Sequence, residues 1–136
     1  RRTVLGAGEP IAVAREAAVV AGQAPLRVAI VASEQRDAWS RVRQVALGAA
    51  WLSRDSEGKV QAFSAACPHL GCSVDYDAEA NAFACPCHQS AFGPSGERLA
   101  GPAQRGLDPL EVTVRDGNVL VRYERFVPGA AQRKKA

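Results

Sequence analysis

Histidine and cysteine are scarce in this chain of 136 residues, which holds two of the first and four of the second. All six fall between Cys67 and His88, so thiol or soft-metal chemistry is excluded from the rest of the chain. Aromatic residues make up 6% and are not interleaved with the basic ones, which removes the usual basis for stacking on nucleic acid. Long hydrophobic runs are missing as well. Residues 11–21 form one of the longest mostly apolar stretches, yet they include Arg15 and Glu16 and are too few to cross a bilayer. The net charge is only +3, and much of it sits at the ends, on Arg1, Arg2, Arg133, Lys134 and Lys135. So short a basic tail reads as a solvated, disordered end, and no nucleic-acid partner is expected.

The remaining composition is ordinary for a globular domain, with 23% charged and 47% apolar residues. The length suits one domain able to bury its own core. Residues 1–25 are rich in alanine and punctuated by Gly6, Gly8, Pro10, Gly22 and Pro25. They read as a short helix over 11–21 ended by Gly22, as an extended neck, or as a leading segment packed on the domain. From Leu26 the pattern is that of strands. Residues 26–32, 42–52 and 60–66 are β-branched or apolar runs, separated by polar turns at 33–37 and 53–58. Residues 73–76 and 82–84 flank a turn at 77–81. Residues 110–115 and 119–123 flank Asp116-Gly117-Asn118, a strong hairpin signal. Trp39 and Trp51 read as core or sheet-face aromatics. The expected class is all-β, built of antiparallel sheets.

The six scarce residues form two short motifs. The first is Cys67-Pro68-His69-Leu70-Gly71-Cys72; the second is Cys85-Pro86-Cys87-His88-Gln89-Ser90. Each offers one cysteine and one histidine at close spacing, Cys67 with His69 and Cys85 with His88. In a [2Fe-2S] cluster each tetrahedral iron already holds two bridging sulfides and needs two protein ligands, so two such pairs supply all four. One arrangement gives both cysteines to one iron and both histidines to the other. Two thiolates rather than four leave the oxidised cluster neutral, which raises its potential relative to an all-cysteine site. Cys72 and Cys87 remain, one per motif, and could bridge the two loops as a disulfide if ligation brings them together. A structural zinc ion on two cysteines and two histidines is the simpler alternative, but it leaves the extra cysteine of each motif without a role.

These two motifs resemble the cluster-binding boxes of Rieske iron–sulfur proteins, and within them the subunits of quinol–cytochrome c oxidoreductases, the cytochrome bc complexes. The paired extra cysteines carry that choice, because ferredoxins and oxygenase domains of the superfamily generally lack them. The resemblance covers roughly residues 26–126. It implies the Rieske fold, a base domain of antiparallel sheets with an inserted cluster-binding subdomain at about 66–103, the cluster lying at one tip; 127–136 is left as the basic tail. It implies Cys67, His69, Cys85 and His88 as iron ligands and Cys72–Cys87 as a disulfide, which in turn fits an oxidising space such as a bacterial periplasm.

Further roles follow from the same resemblance. Gly101-Pro102-Ala103 matches the proline loop that covers the cluster. Ser90 matches the serine whose hydroxyl donates to a bridging sulfide. Position 92, a tyrosine in high-potential members, is Phe92 here, so one donor is missing and a lower potential is expected, as in a menaquinol-type chain. His88 and His69 are implied in proton-coupled electron transfer, with His88 approaching the quinol and Leu70 lending apolar surface beside it. The implied partners are quinol, a cytochrome b-type subunit and a c-type cytochrome. The implied role is an electron-transfer subunit that does not catalyse alone, held at the periplasmic face of the membrane by an N-terminal anchor outside this chain. Two other classes share the boxes: the Rieske subunit of a molybdenum enzyme such as arsenite oxidase, and a soluble ferredoxin feeding an oxygenase.

Overall fold

In a computed structural model, the structure describes residues 3–5, 9–35, 42–68, 72–87 and 89–133. Its strands are β1 Thr3–Leu5, β2 Pro10–Arg15, β3 Leu26–Gln35, β4 Val42–Arg54, β5 Val60–Ser64, β6 Asp75–Asp77, β7 Ala82–Cys85, β8 Ser90–Phe92, β9 Arg98–Ala100, β10 Pro109–Arg115 and β11 Asn118–Arg122. A single 3-10 turn at Glu16–Ala18 is the only helical element among the described residues. Every pairing of strands is antiparallel. The chain is all-β, as its punctuation suggests.

Two sheets result. The base runs β1-β3-β4-β5-β10-β11-β2. Within it β10 serves two ladders: Pro109 and Leu110 pair with β5, while Glu111–Arg115 pair with β11. The second sheet, β6-β7-β8-β9, is inserted between β5 and β10 and carries the second box. A base of antiparallel strands with a smaller inserted sheet is the arrangement that the resemblance implies.

Strand alternation separates two cores. Along β4 and β5, Ala50, Leu52 and Ala62 point to one face, and Trp51 and Phe63 to the other. The first face joins Val28, Ile30, Val119 and Val121 in an aliphatic base core. The second joins Val74, Phe83, Phe92, Cys67 and Cys85 beneath the boxes. Trp51 is therefore a core residue; its ring lies 5.6 Å from Phe83, and its Nε1 donates to the Val74 carbonyl at 2.9 Å. Trp39 lies outside the described residues.

Two expectations change, and one open reading is decided. Of the three readings of residues 1–25, residues 10–19 follow the leading segment packed on the domain: Pro10–Arg15 pairs with β11, and Val19 is buried in the base core. The packing of Ile11, Val13 and Ala14 on the base core, together with a free edge on β11, outweighs the helix propensity of the alanines. The polar segment from Ser33 does not turn at once, because β3 runs on to Gln35 against β4. The basic end is not simply solvated, since residues 127–133 fold back on the first box through bonds described below. The hairpin reading of 116–118 holds: Asp116 and Gly117 have φ of 53° and 75°, the left-handed pair that a tight two-residue hairpin needs.

Candidate metal centre

The first box hangs between β5 and β6. Its neck is closed by a bridge between Ala66 and Ser73, by the Val74 N–H on the Ala65 carbonyl, and by the Cys67 N–H on the Cys72 carbonyl at 2.6 Å. Cys67 stands at this neck and is only 1% exposed. The second box is the loop of the β7–β8 hairpin. Cys85 and Ser90 are the last paired residues before it, and the Gln89 N–H closes the loop on the Cys85 carbonyl at 2.9 Å.

Directly opposed residues of a ladder share a face, as do residues two apart. Phe83, Cys85, Ser90 and Phe92 therefore occupy one face of the hairpin, and all four are buried. That face turns inward to the core containing Cys67. Two buried cysteine side chains, one from each box, thus meet the same apolar cluster, next to one buried hydroxyl.

A third segment covers the hairpin loop. The Ala103 N–H donates to Ser90 Oγ at 3.2 Å. This uses an acceptor position of the hydroxyl and leaves its hydrogen for another partner. Gly101 has φ +98°, and a Cβ there would run into the backbone of Ser90 and Gln89. Only glycine permits so close an approach. Arg98 holds the segment from behind, with Nε on the Ala103 carbonyl and Nη2 on the Gly101 carbonyl, each 2.6 Å. The structure thus brings the glycine–proline segment onto the second box through Gly101 and Ala103, while the Pro102 ring itself is exposed.

Cys72 and Cys87 form a disulfide between the boxes, with Cα atoms 6.5 Å apart. For a sequence separation of 15, the chain-entropy estimate is about 3 kcal/mol of stabilisation. His69, Leu70 and His88 lie outside the described residues. Sequence reasoning missed Arg98, Arg105 and Asp108, none of which stands in a motif. It also missed the conformation of Gln89, whose φ of 58° lies in the left-handed region that glycine adopts most readily.

Comparison with known proteins now bears on this geometry. The family model described as "Rieske [2Fe-2S] domain" matches residues 9–113. The chain belongs to the Rieske [2Fe-2S] domain family. The cytochrome b6-f complex iron–sulfur subunit of Prochlorococcus marinus is 39% identical over 94 residues, covering 68% of this chain and 53% of that protein. The menaquinol:cytochrome c reductase iron–sulfur subunit of Geobacillus thermodenitrificans is 35% identical over 90 residues, covering 63% of this chain and 52% of that protein. The chain thus spans about half the length of the curated relatives it matches. Among solved structures, the cyanobacterial plasma membrane Rieske protein of Synechocystis PCC 6803 is 26% identical with a TM-score of 0.50, covering 68% of this chain and 86% of that one. Naphthalene 1,2-dioxygenase gives a TM-score of 0.63 over 86% of this chain and 26% of that one, at 17% identity, a likeness of fold alone.

The family implies a Rieske-type [2Fe-2S] cluster, and the described residues fit one. Cys67 and Cys85 are buried thiols in a site fed by two loops, the loops are pinned by a disulfide, and a buried hydroxyl with a hydrogen to give stands across the ladder from Cys85. Thiolates suit iron–sulfur clusters, and burial limits access of water to them.

Proposed function

We propose that this Rieske domain is the electron-carrying head of a cytochrome bc-type complex, taking an electron from quinol and passing it to a c-type cytochrome. Cys67 and Cys85 would hold one iron of the cluster, and His69 and His88 the other. When bound, the cluster supplies one-electron redox chemistry at a potential raised by the two neutral ligands. The observation that carries this reading is the Cys72–Cys87 disulfide between the boxes, the feature by which the motifs resemble bc-type subunits. Relatives named as subunits of cytochrome b6-f and menaquinol:cytochrome c reductase complexes support it.

The residues around the two boxes divide the work in this reading. The aromatic core of Trp51, Phe63, Phe83 and Phe92 excludes water from the cysteine side. Ser90 offers its hydroxyl hydrogen toward sulfur, its acceptor side being engaged by Ala103. Phe92 offers no hydrogen, so the potential sits lower than a tyrosine there would set it, which suits a menaquinol-type donor. His88 meets the quinol, with Leu70 as apolar surface beside it, and Pro102 shields the loops. A cytochrome b-type subunit is the docking partner. No helix among the described residues is long and apolar enough to cross a membrane. In this reading the head stands at the periplasmic face, an oxidising space that suits the disulfide.

The test is chemical analysis with electron paramagnetic resonance of the reduced protein. We expect iron and acid-labile sulfide in equal amounts and the low average g-value of mixed cysteine and histidine ligation. Quinol oxidation should then depend on the domain in an assembled complex. A colourless protein holding stoichiometric zinc would overturn the assignment.

A further inference from the structure

After β11 the chain returns to the first box. The Gly129 N–H donates to the Pro68 carbonyl at 2.7 Å, and Pro68 follows Cys67 directly and is fully buried. Gly129 has φ +77°, a left-handed turn that glycine takes without cost and that presents its N–H to the box. The returning segment is gripped by one buried arginine. Arg105 Nη1 donates to the carbonyls of Val127 and Ala130, at 2.9 and 2.8 Å. Its Nε and Nη2 fork onto Asp108, at 2.8 and 2.9 Å, where both side chains are only 5% exposed. Arg133 closes the ring, with Nε on the same Asp108 carboxylate at 2.8 Å and Nη2 on the Leu107 carbonyl at 3.3 Å. The Asp108 carbonyl in turn accepts from the Ser64 N–H at 2.8 Å, at the end of β5 where the first box begins.

We propose that residues 127–133 are a strap that positions the first box, with Arg105 as its buckle. The inference rests on the reading of Cys67 as a ligand, and it assigns Arg105, Asp108 and Gly129 as positioning residues for that ligand. A guanidinium suits the task because it is planar and offers five donors in a fixed fork. It can hold a carboxylate with one edge and two backbone carbonyls with the other. Lysine could keep the ion pair but could not hold both carbonyls as well. A strap serving only general stability would be expected on the base, whereas this one bonds the residue next to Cys67.

The experiment compares the full chain with Arg105→Lys, Arg105→Gln and, as a control, Arg122→Gln, whose arginine lies on β11 beside exposed Glu111. Amide hydrogen exchange is read together with iron loss on warming and the resonance spectrum of the reduced protein. Losing charge-assisted bonds should speed exchange at Gly129 and Cys67 by about tenfold or more in both Arg105 variants. Ile30 and Leu52 in the base should keep their protection. Iron should leave faster, and the resonance lines should broaden or shift. The control should match the parent throughout. Should the glutamine variant fail to fold, a chain ended after Phe126 leaves the Arg105–Asp108 pair intact and tests the strap alone. Parent-like exchange at Cys67 in these variants, or an equal rise across the base, overturns the strap. Exchange that responds in a protein without iron would instead uphold the strap and refute the cluster assignment.

Discussion

The base and the inserted sheet are held by different physics. The base has long strands, above all β3, which pairs with β4 from Leu26 to Gln35, and an aliphatic core in which Ile30, Leu52, Val119 and Val121 are fully buried. Its stability is spread over many similar contacts. The inserted sheet has strands of three or four residues and an aromatic core, and its loops hang on single bonds: a disulfide, a hydroxyl, two arginines, one glycine N–H. Two-ended ladders this short are marginal without such ties. A rigid frame thus presents loops whose geometry a few contacts decide, which suits a site that must hold a metal cluster without reorganising.

The largest effect should come from the base. Leu52→Ala removes a fully buried side chain from the centre of its core and should cost roughly 2–5 kcal/mol. We expect thermal unfolding of the whole domain at a lower temperature, with both sheets lost together. Survival of the β6–β9 sheet after the base has melted would break the comparison, by showing that the insert folds without its frame.

Next comes the disulfide. Replacing Cys72 and Cys87 together with serine should cost about 3 kcal/mol, but chiefly at the loops. Amides of Cys67, Val74 and Gln89 should exchange faster while Ile30 and Leu52 stay protected, and the cluster should be lost more readily on heating. Detection of two unmodified thiols in the native protein, by alkylation and mass measurement, would contradict the bond itself.

A smaller effect is expected at Phe92. Its ring is fully buried on the same hairpin face as Cys85 and Ser90. Phe92→Tyr adds a hydroxyl that must find an acceptor or be penalised for burial. With a cysteine sulfur as acceptor, the potential should rise by tens of millivolts, since ~59 mV corresponds to about 1.4 kcal/mol for one electron. An unchanged potential with lower thermal stability would mean that the hydroxyl is left unpaired.

The contrast also explains what could be read in advance. Strands of the base announce themselves through repeated apolar residues, and Asp116-Gly117 announces its turn because few other pairs adopt that backbone. The boxes stand out because all the cysteines and histidines of the chain gather in them at short spacing, and the disulfide because one spare cysteine stands in each. Residues 11–15 were ambiguous, since alternating Ile11 and Val13 lie among alanines that suit a helix equally; only the open edge of β11 decides. Strands β8 and β9 are too short to show a period. The strap was invisible for a different reason. Arg105 reaches carbonyls at sequence separations of 22 and 25, and contacts between backbone and a lone side chain leave no pattern in composition.

The smallest effect is at Gln89, where the hairpin loop carries strain that the base avoids. Three described residues other than glycine have positive φ: Asn81, Asp116 and Gln89. Asn81 and Asp116 are types that tolerate the left-handed region, because a short polar side chain can bond locally. Glutamine has no such relief, and a left-handed L-residue costs roughly 1–2 kcal/mol. Gln89→Gly removes that cost but adds about 0.5–1 kcal/mol of unfolded-chain entropy, so the net gain should be ~0.5–1 kcal/mol. The backbone bond from Gln89 N–H to the Cys85 carbonyl survives the exchange, because glycine keeps the donor. For a domain of this size the unfolding midpoint should rise by roughly 2–4 °C. The potential should stay unchanged, because no donor to sulfur is added or lost. A midpoint that falls would mean that the Gln89 side chain makes a compensating contact, and a potential that moves would mean that the loop relaxes around the cluster once its strained residue is released.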